Sequence, residues 1–154
     1  MSLLLASFLI GLVAGLRAMT APAIVSWAAA RAGIAPVTGW PAFMAYRWTP
    51  WVLLAAALGE WVTDQLPTTP SRKVPVQFTA RIIMGGLSGA TLGATGGSWP
   101  AGLALGAAGA VLGTLGGASC RGRMAMSFGS DRPAACLEDA AAVGLGVLAI
   151  WMAG

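Results

Sequence analysis

Long apolar runs, separated by proline, glycine and single charged residues, constrain this chain more than any other feature of its sequence. Of the 154 residues, 57% are hydrophobic and 9% are charged, and the mean hydropathy is +0.77. Because soluble domains carry roughly 25% charged residues, this chain lacks the polar residues needed to cover a surface that faces water. Lipid is the expected solvent of its outer face, and the predicted fold is an all-α, polytopic membrane helix bundle.

Five runs approach the length of a membrane span, since a bilayer core about 30 Å thick needs roughly 20 apolar residues per helix. They cover residues 2–31, 49–66, 75–96, 100–119 and 133–152. The first is too long for one straight span and is interrupted within residues 15–22, where Pro22 removes a backbone donor. We therefore expect a single transmembrane domain over residues 1–154, with about five transmembrane segments and a broken or re-entrant first helix.

Basic and aromatic residues in the connections predict an orientation. The two loops on one side carry more positive charge than those on the other: Arg72, Lys73, Arg121, Arg123 and Arg132, against Arg31 and Arg47. The positive-inside rule places the richer side in the cytoplasm. An aromatic belt is expected on the opposite face, formed by Trp40, Trp48, Trp51, Trp99 and Trp151. If the first run crosses once, the N-terminus is cytoplasmic and the C-terminus lies outside.

Glycines recur at every fourth position in the third and fourth runs, a spacing typical of a glycine zipper. They are Gly85, Gly89 and Gly93, then Gly109, Gly113 and Gly117, with Gly11 and Gly15 in the first run. Such spacing lets helix backbones approach closely in lipid. The partner is either another helix of the same chain, favoured by the short connection between the third and fourth runs, or a helix of a second copy. A phosphate-binding loop is not expected, because it requires a strand before the glycines.

Charged residues inside the apolar runs are the best candidates for function, since a charge at the centre of a membrane helix costs at least about 2.5–3.5 kcal/mol. The expected site residues on a solute or ion pathway are Arg17, Thr20, Glu60, Asp64, Arg81, Glu138 and Asp139. Helical rise places Asp64, Arg81, Glu138 and Asp139 in one layer near the cytoplasmic third, with Glu60 one turn deeper. Two interpretations stay open: the charges line a polar path, or they only neutralise one another and fix the register of the helices.

Arg72 and Lys73 follow a proline-rich connection and form a second candidate site, for a lipid phosphate. The alternative is an ordinary loop whose basic residues set the topology. The sequence has no histidine, so a transition-metal site is not expected. No cofactor is expected either. The scattered basic residues do not form the continuous patch that nucleic acid requires.

Four motifs resemble a family of small bacterial integral membrane proteins of unknown function. They are Gly-Leu-Arg-x-x-Thr-x-Pro at residues 15–22, Glu-x-x-x-Asp-x-x-Pro-x-x-Pro-x-Arg at 60–72, Arg81 leading into the glycines, and Leu-Glu-Asp at 137–139. The resemblance covers nearly the whole chain. It implies an architecture in the bacterial inner membrane and a set of polar positions, but no activity.

The leading functional hypothesis is a small transporter or channel-like protein for an unidentified solute or ion, because a broken helix beside buried charges is typical of transporters. Five short helices are few for enclosing a pathway, so we expect a homo-oligomer, with a dimer favoured. The alternative is a non-catalytic membrane scaffold or lipid-interaction protein. The spacings of a membrane enzyme acting on lipid are absent, so we favour a protein without enzymatic activity.

Overall fold

A computed structural model of the chain describes residues 2–31, 33–64, 74–128 and 131–154. Over this part, the secondary structure consists of six α-helices and one 3₁₀ helix, which confirms the predicted all-α class. The elements are α1 (Ser2–Leu16), α2 (Thr20–Ala30), the 3₁₀ helix (Trp40–Ala45), α3 (Thr49–Thr63), α4 (Pro75–Thr95), α5 (Trp99–Phe128) and α6 (Asp131–Ala153). Arg72 and Lys73 lie outside the described residues.

Proline stands in the first turn of α2, α3, α4 and α5, at Pro22, Pro50, Pro75 and Pro100. A helix leaves its first backbone N–H groups without internal partners, so proline at these positions sacrifices no helical hydrogen bond. The break in the first run therefore does not fall at Pro22. It falls at residues 17–19, one turn earlier, and Pro22 helps α2 to begin.

The first run folds back on itself as a helical hairpin. Along α1, Leu3 lies beside Gly96 near the start of α5, and Leu16 lies beside Gly117. α1 thus runs in the same direction as α5. α2 returns toward the starting end, where the Ser26 hydroxyl donates to the carbonyl of Met44 in the 3₁₀ helix.

Because of this reversal, both chain ends lie at the same end of the bundle as the aromatic residues. At that end the ring centroids of Trp40 and Trp99 are 5.8 Å apart, and those of Trp27 and Trp51 are 5.0 Å apart. Gly154 approaches Gly33 there as well. The structure is therefore inconsistent with a first run that crosses the bundle once and leaves the two chain ends on opposite sides.

Helices α1, α4 and α5 make the most extensive helix–helix contacts and form the centre of the bundle. Gly89 of α4 and Gly106 of α5 meet with their backbones in contact, and a Cβ atom on either residue would overlap the other helix. On α1, Gly11 meets the same Gly106, and the Ser7 hydroxyl donates to the Gly89 carbonyl at 3.2 Å. Within this chain, the spaced glycines therefore bring three helices together.

Two helices of the described part are long and apolar enough to cross a membrane, over Trp99–Met124 in α5 and Ala135–Ala153 in α6. By length and composition, these two helices indicate association with a membrane. The apolar helices α1 and α2 have 15 and 11 residues, or about 22 and 16 Å at 1.5 Å per residue, short of a bilayer core. The expectation of about five spans is therefore not supported by helix length and hydropathy.

Candidate functional site at the helix break

Arg17 is the first residue of the break between α1 and α2, and its guanidinium group joins two other helices. Its Nε donates to Oδ1 of Asp139 in α6 at 2.6 Å, and its Nη1 lies 2.5 Å from Oδ2 of Asp64 at the end of α3. Arg17 is 1% exposed. Hydrogen bonds between ionised groups are roughly twice as strong as neutral ones, so Arg17 fixes the tip of the hairpin against α3 and α6.

Each of the two helix ends at the break is capped by a side chain whose charge is opposite to the partial charge of that helix end. Glu60 of α3 accepts hydrogen bonds from the backbone N–H groups of Ala18 and Met19, at 2.9 and 2.8 Å. Arg81 of α4 donates to the carbonyl oxygens of Gly15 and Leu16, at 2.9 and 2.7 Å. A helix N-terminus carries partial positive charge and a C-terminus partial negative charge, so both contacts are electrostatically favourable.

The two caps also contact each other, since Arg81 Nη2 lies 3.7 Å from Oε1 of Glu60. The end of α1 also has a neutral hydrogen-bond donor, since the Thr114 hydroxyl of α5 lies 3.3 Å from the Gly15 carbonyl oxygen. The break is thus held by groups from α3, α4, α5 and α6. An irregular backbone inside a membrane protein requires such internal partners.

A further ion pair lies beside the break, between α5 and α6. Glu138 is 5% exposed, and its Oε2 lies 3.4 Å from Nη1 of Arg121. Thr20, at the start of α2, accepts a hydrogen bond from Nε1 of Trp61 at 3.3 Å.

The structure thus places all seven residues predicted for the pathway at or next to the helix break. Asp64 contacts Arg17, and Arg81 contacts Glu60. The hairpin brings Arg17 to the level of Asp64. Arg72 and Lys73, predicted to bind a lipid phosphate, are outside the described residues.

Sequence reasoning missed three contributors to this site: Arg121, Thr114 and Trp61. Arg121 was assigned to a loop because the fourth apolar run ends near Ser119, but α5 continues to Phe128. Arg121 follows Gly117 by four residues, so both lie on one helix face. In the structure Gly117 faces Glu138, so Arg121 lies on the face of α5 that is turned toward its ion-pair partner. Thr114 and Trp61 carry no comparable signal, because single hydroxyl and indole groups are common in apolar helices.

The site is mostly but not fully enclosed. The side chains of Asp139 and Asp64 are 23% and 14% exposed, against 2% for Arg17. Two apolar cavities flank α6 beside the charges, with volumes of about 510 and 300 Å³. Thr20 and Trp61 are among the residues that line the smaller one. Asp139 is therefore the most exposed of the three carboxylates that hold the hairpin tip.

Comparison of the chain with known protein families, with curated proteins and with solved structures finds no match.

The cap on α2 gives a direct test of this geometry. In Glu60→Ala, the amide hydrogens of Ala18 and Met19 lose their acceptor, so we expect their exchange with solvent to become about tenfold faster, as loss of a helix N-cap would predict. Hydrogen exchange read by mass spectrometry measures this effect. Val62→Ala, at a residue 66% exposed on the same helix, should leave both amides unchanged. Equal exchange in the two variants would contradict the cap.

Proposed function

We propose that this chain is a small transporter or channel-like protein of the bacterial inner membrane, for a small solute or ion. The observation that carries the proposal is the break at residues 17–19, where two helix ends and three ion-paired carboxylates meet inside the bundle. In transporters, discontinuous helices supply such ends, together with charged groups, to the solute site. The family resemblance stays a prediction and adds no activity.

The proposed membrane arrangement is multi-pass, with α4 to α6 as crossings, the α1–α2 hairpin as a re-entrant segment, and α3 running beside this hairpin from the aromatic end to the break. α4, α5 and α6 have 21, 30 and 23 residues, or about 31, 45 and 34 Å, each at least the thickness of a bilayer core. Leu16 lies beside Gly117, 18 residues along α5 from Trp99 and therefore about 27 Å from the aromatic end. The hairpin tip would then reach the cytoplasmic third of the membrane.

In this arrangement the carboxylates would serve a solute or ion, and the arginines would balance their charge. Asp139 is the expected entry point, because it combines contact with Arg17 with 23% exposure of its side chain. Glu60 and Arg81 would hold the two helix ends in place through their hydrogen bonds to the backbone at the break. A homodimer is the expected assembly, since a single small bundle encloses little space for a pathway.

Ion flux into liposomes tests the proposal. Purified protein is reconstituted with a pH-sensitive dye inside the vesicles, and gradients of H⁺, Na⁺, K⁺, Cl⁻ and acetate are imposed in turn. A protonophore is added for Na⁺, K⁺ and Cl⁻, so that the compensating movement of protons reports their flux. We expect flux above that of protein-free vesicles for at least one of the gradients. Asp139→Asn and Glu60→Gln should each lower that flux by about tenfold or more, since each removes the carboxylate charge while keeping an oxygen that still accepts a hydrogen bond.

Arg47→Gln is the matched control, because Arg47 is exposed at the aromatic end, 5.4 Å from the ring centroid of Trp48. Its flux should equal that of the original protein. Flux that equals the protein-free background for every gradient, or that does not respond to Asp139→Asn and Glu60→Gln, would argue against the proposal.

The alternative, a membrane scaffold whose charges only fix helix register, is favoured by one observation. Each charged group at the break contacts an opposite charge or a helix end of this chain, as a purely structural network would. On this alternative, Asp139→Asn changes the stability of the purified protein, while no gradient produces flux in any variant. The same set of liposomes therefore separates the two functions.

A further inference from the structure

An apolar groove of about 510 Å³ lies between α1, α5 and α6 on the outer side of the bundle. It is lined by Leu12 of α1, Leu112 of α5 and Leu145 of α6. Glu138 is the charged residue among those that line it. Gly116 forms part of its α5 wall, and an added Cβ there would meet nothing within 4 Å. The groove is therefore an open, concave space between the two helices that qualify as membrane spans.

The position of the groove along α5 matches one leaflet of a bilayer. Leu112 is 13 residues and Arg121 is 22 residues beyond Trp99, which corresponds to about 20 and 33 Å along the helix. With Trp99 at the outer interface, a hydrocarbon core of about 30 Å ends close to Arg121. The groove thus begins just past the middle of the membrane and ends at the level of the lipid headgroups on the side opposite the tryptophans.

Positive charge marks the headgroup end of the groove. Arg121 lies on the groove face of α5, between the lining residues Gly117 and Met124, and contacts Glu138 at 3.4 Å. Arg123 is exposed two residues later. Within the described surface, Arg121 and Arg123 together carry more charge than Glu138 offsets, so this end of the groove is positive. A positive surface attracts a phosphate group and repels an ammonium group.

We propose that this groove binds one acyl chain of an anionic phospholipid from the leaflet opposite the tryptophans, with the phosphate held near Arg121 and Arg123. The volume agrees with this occupant, since about 510 Å³ holds roughly 15 or more methylene groups, if each fills about the 30 Å³ that a water molecule occupies in liquid. The bound chain would cover Gly116 and separate the ion pair of Glu138 from bulk lipid. This site is distinct from the proposed solute site at Arg17.

Native mass spectrometry of the full-length, delipidated protein tests the proposal, with dioleoylphosphatidylglycerol added as the probe and dioleoylphosphatidylcholine as the neutral comparison. We expect one phosphatidylglycerol per chain, bound more tightly than phosphatidylcholine. Gly116→Phe places a ring in the groove and should weaken that binding by about tenfold or more, because several methylene groups lose their buried surface. Arg123→Gln should reduce the preference for phosphatidylglycerol over phosphatidylcholine, because the choline ammonium already offsets the phosphate charge of the neutral lipid.

Gly144→Phe is the matched control, because an added Cβ at Gly144 of α6 also meets nothing within 4 Å and Gly144 does not line the groove. It should bind phosphatidylglycerol as the original protein does, which shows that folding tolerates a new aromatic group. Equal lipid binding by the two phenylalanine variants would overturn the proposal. So would a Gly116→Phe variant that loses a dimer but keeps its lipid, since the occupant would then be a second copy of the chain.

Discussion

Arg17→Gln is expected to lower the free energy of unfolding by about 3–5 kcal/mol, the range for removal of one partner from a buried ion pair. The guanidinium of Arg17 is the shared contact of Asp64 and Asp139. Without it, two carboxylates from different helices face each other near the hairpin tip. Reversible unfolding in mixed detergent micelles measures the loss.

Neutralising the carboxylates should reverse part of this effect. In the triple variant Arg17→Gln, Asp64→Asn, Asp139→Asn, no ionised group is left at that contact, so stability should recover relative to Arg17→Gln alone. Arg47→Gln serves as the control, since its loss of contact with the exposed Trp48 ring costs no more than about 1 kcal/mol. An Arg17→Gln variant as stable as Arg47→Gln would show that the ion pairs do not hold the break.

Gly106→Ala is expected to destabilise the bundle by about 1–3 kcal/mol, the range for overpacking a well-packed core. A Cβ at Gly106 would lie 3.0 Å from the carbonyl carbon of Gly85 and 3.0 Å from Cα of Gly89. Both are backbone atoms that cannot rotate away, so α4 and α5 must separate. This cost outweighs the gain of about 1 kcal/mol that alanine has over glycine in a helix.

Gly144→Ala isolates that gain in helix propensity. An added Cβ at Gly144 meets nothing within 4 Å, so the substitution should stabilise the protein by up to about 1 kcal/mol. The two alanine variants should therefore shift unfolding in opposite directions in the same micelles. A stabilising Gly106→Ala would contradict the close approach of α4 and α5.

The sequence predicted the helical class and the break in the first run, because proline, glycine and apolar periodicity act locally. It left open whether the run is broken within one crossing or turns back as a re-entrant helix. The reversal depends on contacts far apart in sequence, such as Arg81 with Gly15 and Glu60 with Ala18. The sequence of residues 15–22 is compatible with both a hairpin and a kinked crossing. Only the residues that contact the two helix ends distinguish these structures.

The candidate site shows the same limit. The high cost of burying charge in lipid identifies Glu60, Asp64 and Arg81 as residues that require partners. That cost does not say which acid meets which base. Arg17 was the difficult residue, since its depth depends on whether the first run crosses or returns. Arg121 was missed because α5 extends past the end of its apolar run.

The central claim is that the charges at the helix break are reached by water, as a solute site requires, and are not sealed in a dry contact. Cys120 and Cys136 are both exposed, so the test starts from a protein in which serine replaces them. A charged, membrane-impermeant thiosulfonate reagent is then applied to Asp139→Cys, to Ser127→Cys near the exposed end of α5, and to Val147→Cys. Val147 is 60% exposed, but in the proposed arrangement it faces hydrocarbon.

Only a thiol that ionises in water reacts with such a reagent. We therefore expect Asp139→Cys to react within about tenfold of the rate of Ser127→Cys, and Val147→Cys to react about a hundredfold more slowly than Ser127→Cys. An Asp139→Cys variant as unreactive as Val147→Cys would mean that the helix break is dry, and it would contradict a solute site there.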